Sequence, residues 1–96
     1  MAAVRLYAAL REAAGQRDFD VELPAGALIG ELLKRLIALR PKLGGKILDE
    51  NGSVPRYVAV FVNGRDIRHL NGLETPVQSE DEIAIFPPVA GGSVNG

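Results

Sequence analysis

The residues best suited to chemistry in this 96-residue chain lie near its end, where two prolines lead into a pair of glycines. Residues 83–86 form an apolar, strand-like run, and PPVAGGSVNG follows them. Pro87 and Pro88 cannot donate hydrogen bonds to a sheet, so they direct the chain away from a preceding strand. Glycine has no Cβ, so Gly91 and Gly92 would fit a channel too narrow for other residues. The alternative interpretation is an ordinary frayed terminus.

No other set of side chains has the spacing of an active site or a metal site. His69 is the only histidine and the chain has no cysteine, which excludes disulfides, thiolate metal ligands and a thiol nucleophile. None of the serines lies in a GxSxG motif, and the glycine pairs lack the lysine and spacing of a phosphate loop. We therefore predict a protein that is not an enzyme, with no catalytic residue, no metal and no bound cofactor.

Composition is typical of one small globular domain. Hydrophobic residues make up 47% of the chain, charged residues 24%, and the net charge is −1. A near-neutral chain without a basic run is a poor match for nucleic acid, and its apolar stretches are too short to span a bilayer. We expect a domain over residues 1–88, a flexible tail over 89–96, a cytoplasmic location, and neither a nucleic-acid nor a membrane partner.

Two hydrophobic periods alternate along the chain, and their order predicts an α+β domain. Strand patterns cover residues 4–8, 19–23, 58–62 and 83–87, with a short return strand at 66–70 after the Asn63-Gly64 turn. A main helix is predicted over residues 27–40, before Pro41, and a helical turn over 10–14. The first and last strands are strongly apolar, so we predict that they lie side by side and parallel at the centre. This is a β-grasp (ubiquitin-like) fold, a mixed sheet of four to five strands wrapped on one main helix.

Alternation within the strands also predicts a partner-binding surface. If Val58, Val60 and Ile85 face the main helix, the opposite face carries Ala59, Phe61, Phe86 and Tyr7. Aromatic residues gathered on one exposed face are typical of binding surfaces. The alternative is that neighbouring side chains simply half-bury these rings. Two further sets of residues are predicted to contact partners. One is the acidic run before the last strand, Glu80, Asp81 and Glu82, and the other is the segment that leads to the paired glycine, Pro87, Pro88, Val89 and Ala90.

Several segments resemble the MoaD/ThiS family of ubiquitin-like sulfur carriers. VFVNG…DEIAIFPPVAGG resembles the C-terminal half of that family, and VRLYAALREAAG resembles its first strand and turn. With the amphipathic helix that ends at a proline, the resemblance covers nearly the whole chain. It implies a carrier that acts as a substrate or small subunit of partner enzymes.

The resemblance also implies how the end of the chain would react. In that family an ATP-dependent activating enzyme adenylates the carboxylate of the last glycine, which is then converted to a thiocarboxylate. This glycine corresponds to Gly92, beside Gly91, and Glu80, Asp81 and Glu82 would pair with basic residues of that enzyme. The implied partners are a MoaB/MoeB/ThiF-like activating enzyme, which uses ATP, and an acceptor such as a molybdopterin synthase large subunit or a cysteine synthase.

The chain departs from the family pattern after the paired glycine. Residues 93–96 (SVNG) follow Gly92, and an amide there cannot be adenylated as a carboxylate can. We expect a protease to remove SVNG, the alternative being that these residues are a cloning remnant. Molybdenum cofactor biosynthesis is the preferred pathway, with cysteine synthesis or tRNA thiolation as other routes. A second function class is a ubiquitin-like modifier joined through Gly92 to target lysines.

Overall fold

A single mixed sheet organises the computed structural model, which describes residues 1–88. The strands are β1 (Ala2–Leu6), β2 (Asp18–Val21), β3 (Ala59–Val62), β4 (Arg65–Asp66) and β5 (Glu82–Phe86). Their order in the sheet is β2-β1-β5-β3-β4. β1 and β5 pair in parallel, and the other neighbours pair antiparallel. The predicted β-grasp arrangement is therefore confirmed, with the first and last strands adjacent at the centre.

Helix α2 (Ile29–Leu39) packs across one face of this sheet and forms the core with it. Its inward side chains recur at helical spacing and are fully buried: Ile29, Leu32, Leu33 and Leu36. The central strands contribute alternate residues that are equally buried: Val4, Leu6, Ile83 and Ile85. Each large apolar side chain buried in this way stabilises the domain by about 1.5–3 kcal/mol. The core therefore lies wholly on the α2 side of the sheet, and the other face is left open.

The start of α2 is held by a distant segment and not by a local capping residue. No side chain caps this end of the helix. Instead, the Ile29 N–H donates to the Thr75 carbonyl at 2.9 Å, and the Val77 N–H donates to the Ala27 carbonyl at 2.9 Å. An N–H group that would need a capping side chain is thus satisfied by a distant segment. The helix begins two residues later than predicted, because residues 27 and 28 are held by this pairing.

The junction after β1 differs from the prediction. The sequence pattern predicts a strand through Ala8, but the strand ends at Leu6 and Ala8 is exposed at the start of helix α1 (Ala8–Ala14). The backbone of Ala8 has φ of 52°, a left-handed conformation that cannot continue a strand. The turn allows Leu10 and Ala14, one helical turn apart, to reach the core.

The predicted return strand at 66–70 is also wrong in length. β4 has only two residues, and a 3₁₀ turn over Ile67–His69 follows it. The Asp66 side chain accepts a hydrogen bond from the Arg68 N–H at 2.9 Å. An aspartate that bonds the backbone two residues ahead favours a turn over continued pairing. The turn buries Ile67 against the core.

The long connection between α2 and β3 contains a 3₁₀ turn over Pro41–Leu43. Within this connection, Ile47 and Leu48 are both buried against the core. Arg40 closes the end of α2 by donating from Nε to the Ala14 carbonyl at 3.1 Å, with its guanidinium 5.2 Å from the centre of the Phe19 ring. Within residues 1–88 no helix is both long and apolar enough to cross a membrane.

Two leucines of α2 provide a matched test of this packing. Leu36 is completely buried, whereas Leu39 is 50% exposed. We expect Leu36→Ala to lower the free energy of unfolding by about 2–5 kcal/mol, because it leaves a cavity in the core. Leu39→Ala should change it by less than about 0.5 kcal/mol. Urea denaturation followed by circular dichroism measures both, and equal losses would contradict the assigned helix orientation.

Candidate docking surface and tail exit

Three aromatic rings contact one another on the open face of the sheet. The rings of Tyr7 and Phe86 stack with centroids 4.3 Å apart and planes within 11° of parallel. Phe61 meets Phe86 edge-on, with centroids 5.6 Å apart and an interplanar angle of 86°. Both geometries are favourable for aromatic pairs. Phe86 nevertheless remains 37% exposed, and Tyr7 and Phe61 are half-buried. The three residues, which we call the aromatic cluster, are therefore partly shielded by one another and still accessible.

Strand register brings the cluster together. Ala59 lies opposite Phe86, and Phe61 lies opposite Ala84, in the antiparallel pair of β3 and β5. Directly paired residues share a face, so the half-buried Ala59 lies beside the rings as the sequence predicts. Tyr7 follows the last residue of β1, where its N–H donates to the Ile85 carbonyl at 3.2 Å. The central strand β5 and its two neighbours, β1 and β3, thus fix the positions of the rings.

The chain leaves the sheet from its central strand. β5 ends at Phe86, after which Pro87 is half-buried and Pro88 is exposed. The predicted contact residues Val89 and Ala90, and the predicted reactive pair Gly91-Gly92, lie outside the described residues. The described chain therefore ends next to the aromatic cluster.

The three acidic residues at the start of β5 do not play equivalent roles; Glu80 and Asp81 precede the strand and Glu82 is its first residue. Both carboxylate oxygens of Asp81 accept hydrogen bonds within the domain. Its Oδ1 accepts from Asn63 Nδ2 at 2.8 Å, and its Oδ2 accepts from the Gln78 N–H at 2.7 Å. Glu80 and Glu82 are exposed and form no ion pair within residues 1–88. These two acids have carboxylates available for a partner, whereas Asp81 holds the turn.

Asn63 ties the β3–β4 hairpin to the start of β5. Asn63 and Gly64 have φ of 51° and 84°, the left-handed pair expected of a two-residue hairpin turn. The Asn63 Oδ1 accepts from the Glu82 N–H at 2.9 Å, and the Asn63 N–H donates to the Glu82 carbonyl at 2.8 Å. This residue therefore forms the turn and also anchors β5 at the end opposite the exit.

An exposed ion-pair group lies on the same face, at the edge of the sheet. Arg5 on β1 donates from Nε to Asp18 Oδ1 at 2.8 Å, and Arg17 donates from Nε to Asp18 Oδ2 at 2.9 Å. These two hydrogen bonds hold the pKa of the Asp18 carboxyl below its ordinary value, and the bond from Arg5 has the larger effect. The group joins β1 to β2 across the open face.

Sequence reasoning missed Tyr57. It is 68% exposed and lies two residues before Ala59, beside the point where the chain leaves β5. Tyr57 lies in a turn in which the Val58 N–H donates to the Pro55 carbonyl at 3.0 Å, so the alternation of β3 does not extend back to it. Pro55 and the preceding glycines indicate a loop here, and a loop pattern does not show which side chain is exposed.

The remaining candidates do not form a site. His69 is exposed in the 3₁₀ turn after β4. Among residues 1–88, no three His, Cys, Asp or Glu side chains gather closely enough to hold a metal ion. The aromatic cluster and the end of β5, where the chain leaves the sheet, are thus the candidate functional site.

Comparison with protein families gives a match over nearly the whole chain. The model of the ThiS family matches residues 4–92. Small archaeal modifier protein 3 of Haloferax volcanii is 37% identical over 89 residues, covering 93% of this chain and 96% of that protein. A putative sulfur carrier protein of Archaeoglobus fulgidus is 42% identical over 84 residues, covering 75% of this chain and 96% of that protein.

A solved structure extends the likeness to three dimensions. A chain of the BexX/CysO complex of Amycolatopsis orientalis superposes with a TM-score of 0.82 at 27% identity, covering 96% of this chain and 100% of that chain. Sequence and fold therefore agree on the same class of small proteins.

The ion pairs of Asp18 predict a pH dependence of stability. The folded-state pKa of Asp18 lies below its unfolded value, so its contribution is complete above the unfolded pKa and is lost as pH falls through the folded pKa. We expect the stability difference between the native protein and Asp18→Asn to shrink over that acid range. Urea titrations at several pH values measure it. Asp20→Asn is the control, since it removes a carboxylate from the same strand without breaking an ion pair; a difference independent of pH would contradict this role.

Proposed function

The chain belongs to the ThiS family, and we propose that it is a ubiquitin-like sulfur carrier activated at Gly92 after residues 93–96 are removed. The observation that carries this proposal is the extent of the family match, which runs through residue 92, the second glycine of PPVAGG. The 42% identity to a putative sulfur carrier protein supports it. In this role the protein is a substrate of partner enzymes, and it needs no catalytic side chain of its own.

The proposed chemistry takes place entirely on the main chain. Hydrolysis of the bond between Gly92 and Ser93 frees a carboxylate on Gly92. A carboxylate oxygen attacks the α-phosphorus of ATP, pyrophosphate leaves, and an acyl adenylate forms. A hydrosulfide equivalent then attacks the acyl carbon, AMP leaves, and a thiocarboxylate remains. ATP is bound by the MoaB/MoeB/ThiF-like activating enzyme. Because the sequence contains no cysteine, the sulfur is carried on Gly92 and not on a side chain.

The open face supplies the surface on which partners dock. The aromatic cluster is apolar, partly exposed and next to the exit of β5, so a protein that binds the end of the chain would cover it. The likeness to a chain crystallised in the BexX/CysO complex supports docking of a protein partner. The proposed acceptor is a molybdopterin synthase large subunit, with a cysteine synthase or a tRNA-thiolating enzyme as the other routes.

A second candidate function is conjugation to proteins. The 37% identity to small archaeal modifier protein 3 favours it. Both functions use the same adenylate, and they differ only in the nucleophile. Sulfide would give the carrier, whereas the amine of a target lysine would give an isopeptide bond to Gly92.

Intact mass spectrometry distinguishes these functions. Protein recovered from its own cells should lack residues 93–96. Incubation with ATP, sulfide and the ThiF-like enzyme of the same organism should replace one oxygen by one sulfur. Higher-mass species with Gly92 joined to lysine would favour the modifier. A full-length chain left unchanged by every step would contradict both functions, and Gly92→Ala is the control for the site of reaction.

A charge introduced within the aromatic cluster should prevent docking. Phe61→Asp places a carboxylate against Phe86, so we expect binding to the activating enzyme to fall by at least about tenfold while the fold is kept. Leu39→Asp is the matched control, because Leu39 is an exposed apolar residue on the outer side of α2. Calorimetry measures binding and circular dichroism measures folding. Unchanged binding would contradict the docking role, and unfolding would place Phe61 in the core.

A further inference from the structure

Tyr57 is the most exposed large apolar side chain in the described part of the chain, at 68%. A single exposed aromatic ring is not unusual at a protein surface. The residue lies at the approach to β3, and it makes no aromatic contact within residues 1–88. What distinguishes Tyr57 is that this exposure is combined with a backbone held in place and a position near the exit of the chain.

The backbone that carries Tyr57 is tightly held. Arg68 donates from Nη2 to the carbonyls of Arg56 at 2.6 Å and Val58 at 2.8 Å, and more weakly to that of Pro55 at 3.5 Å. The carbonyls on both sides of Tyr57 thus bind one guanidinium.

Arg68 is itself oriented by two contacts with Asp66. Its N–H donates to Asp66 Oδ1 at 2.9 Å, and its Nη1 lies 3.7 Å from Asp66 Oδ2. The short β4 strand and its following turn therefore fix the guanidinium, which in turn fixes the segment around Tyr57. An exposed ring on a fixed backbone is preorganised for binding, because little main-chain entropy remains to be lost.

The position of Tyr57 identifies what would cover it. Ala59 pairs with Phe86, and Tyr57 precedes Ala59 by two residues, as Pro88 follows Phe86 by two. Both segments therefore leave the ladder at the same end of the sheet. Gly92 is four residues beyond Pro88, so a fully extended chain carries it at most about 14 Å from there. A protein that holds Gly92 must come close to the surface around Tyr57.

We propose that Tyr57 is a contact residue for the enzyme that adenylates Gly92, and that Arg68 is the positioning residue that presents it. This inference rests on the proposed function and extends the aromatic cluster to the exit of the chain. The occupant is an activating enzyme with an apolar pocket for the ring, next to the channel that receives the glycines. Tyrosine is well suited to such a contact, since it buries a large area with few rotatable bonds.

The test uses ATP–pyrophosphate exchange by the ThiF-like enzyme of the same organism, with protein ending at Gly92 as its substrate. Tyr57→Ala should raise the KM for the carrier by about tenfold and leave kcat unchanged, because the contact is made equally in the ground and transition states. Arg68→Met, which keeps the length of the side chain but removes its donors, should raise KM in the same direction. Leu39→Ala, an exposed apolar residue on α2, should behave as the native chain.

The outcomes separate this inference from the function on which it rests. Exchange with the native chain and an unchanged KM for Tyr57→Ala would overturn the role of Tyr57 and leave the carrier function standing. No exchange with the native chain would overturn both. A fall in kcat alone would also contradict a docking contact. If circular dichroism shows that Arg68→Met is unfolded, Tyr57→Ala and Tyr57→Phe alone test the role of Tyr57. Tyr57→Phe retains the ring and should keep a near-native KM.

Discussion

The parallel pairing of β1 with β5 is the constraint on which the rest of this structure depends. Two parallel neighbours cannot be joined by a tight turn, so the chain must cross over between them, and α2 lies in that crossover. The crossing helix covers one face of the sheet and provides the core. The same pairing places the last strand at the centre of the sheet and not at its edge. The chain therefore leaves the domain at the end of this central strand, next to the aromatic cluster.

The two faces of the sheet have different roles, one in stability and the other in the proposed binding of partners. On the α2 side, alternate residues of every central strand are buried in a continuous apolar core. On the open side, the same strands present three contacting rings, small residues such as Ala59 and Ala84, and the ion pairs of Asp18. Because strand side chains alternate, each strand serves both purposes at once. Changes on the open face can therefore alter partner binding with little effect on the core.

Much of this arrangement follows from sequence pattern, and the exceptions have physical causes. Alternation and helical period predict a β-grasp sheet of four to five strands, of which the structure has five, and place Phe61 and Phe86 on one face, because burial imposes these patterns. The start of α2 was not predictable in detail, since its first N–H is satisfied by Thr75 and not by a local cap. The short β4 depends on the bond between Asp66 and the Arg68 N–H, which a period-two pattern does not reveal. Tyr57 was not predictable, because it lies in a turn whose carbonyls bind Arg68, ten or more positions away.

The central position of β5 also bears on how the protein is made. β1 pairs with residues roughly 80 positions later, so the middle of the sheet cannot close until almost the entire domain has emerged from the ribosome. A polypeptide that stops short of β5 lacks a central strand, and both β1 and β3 would lose a neighbour. Such a fragment would have neither a closed core nor an aromatic cluster. The closed core, the aromatic cluster and the segment that leaves β5 can therefore form only after the last strand has been translated.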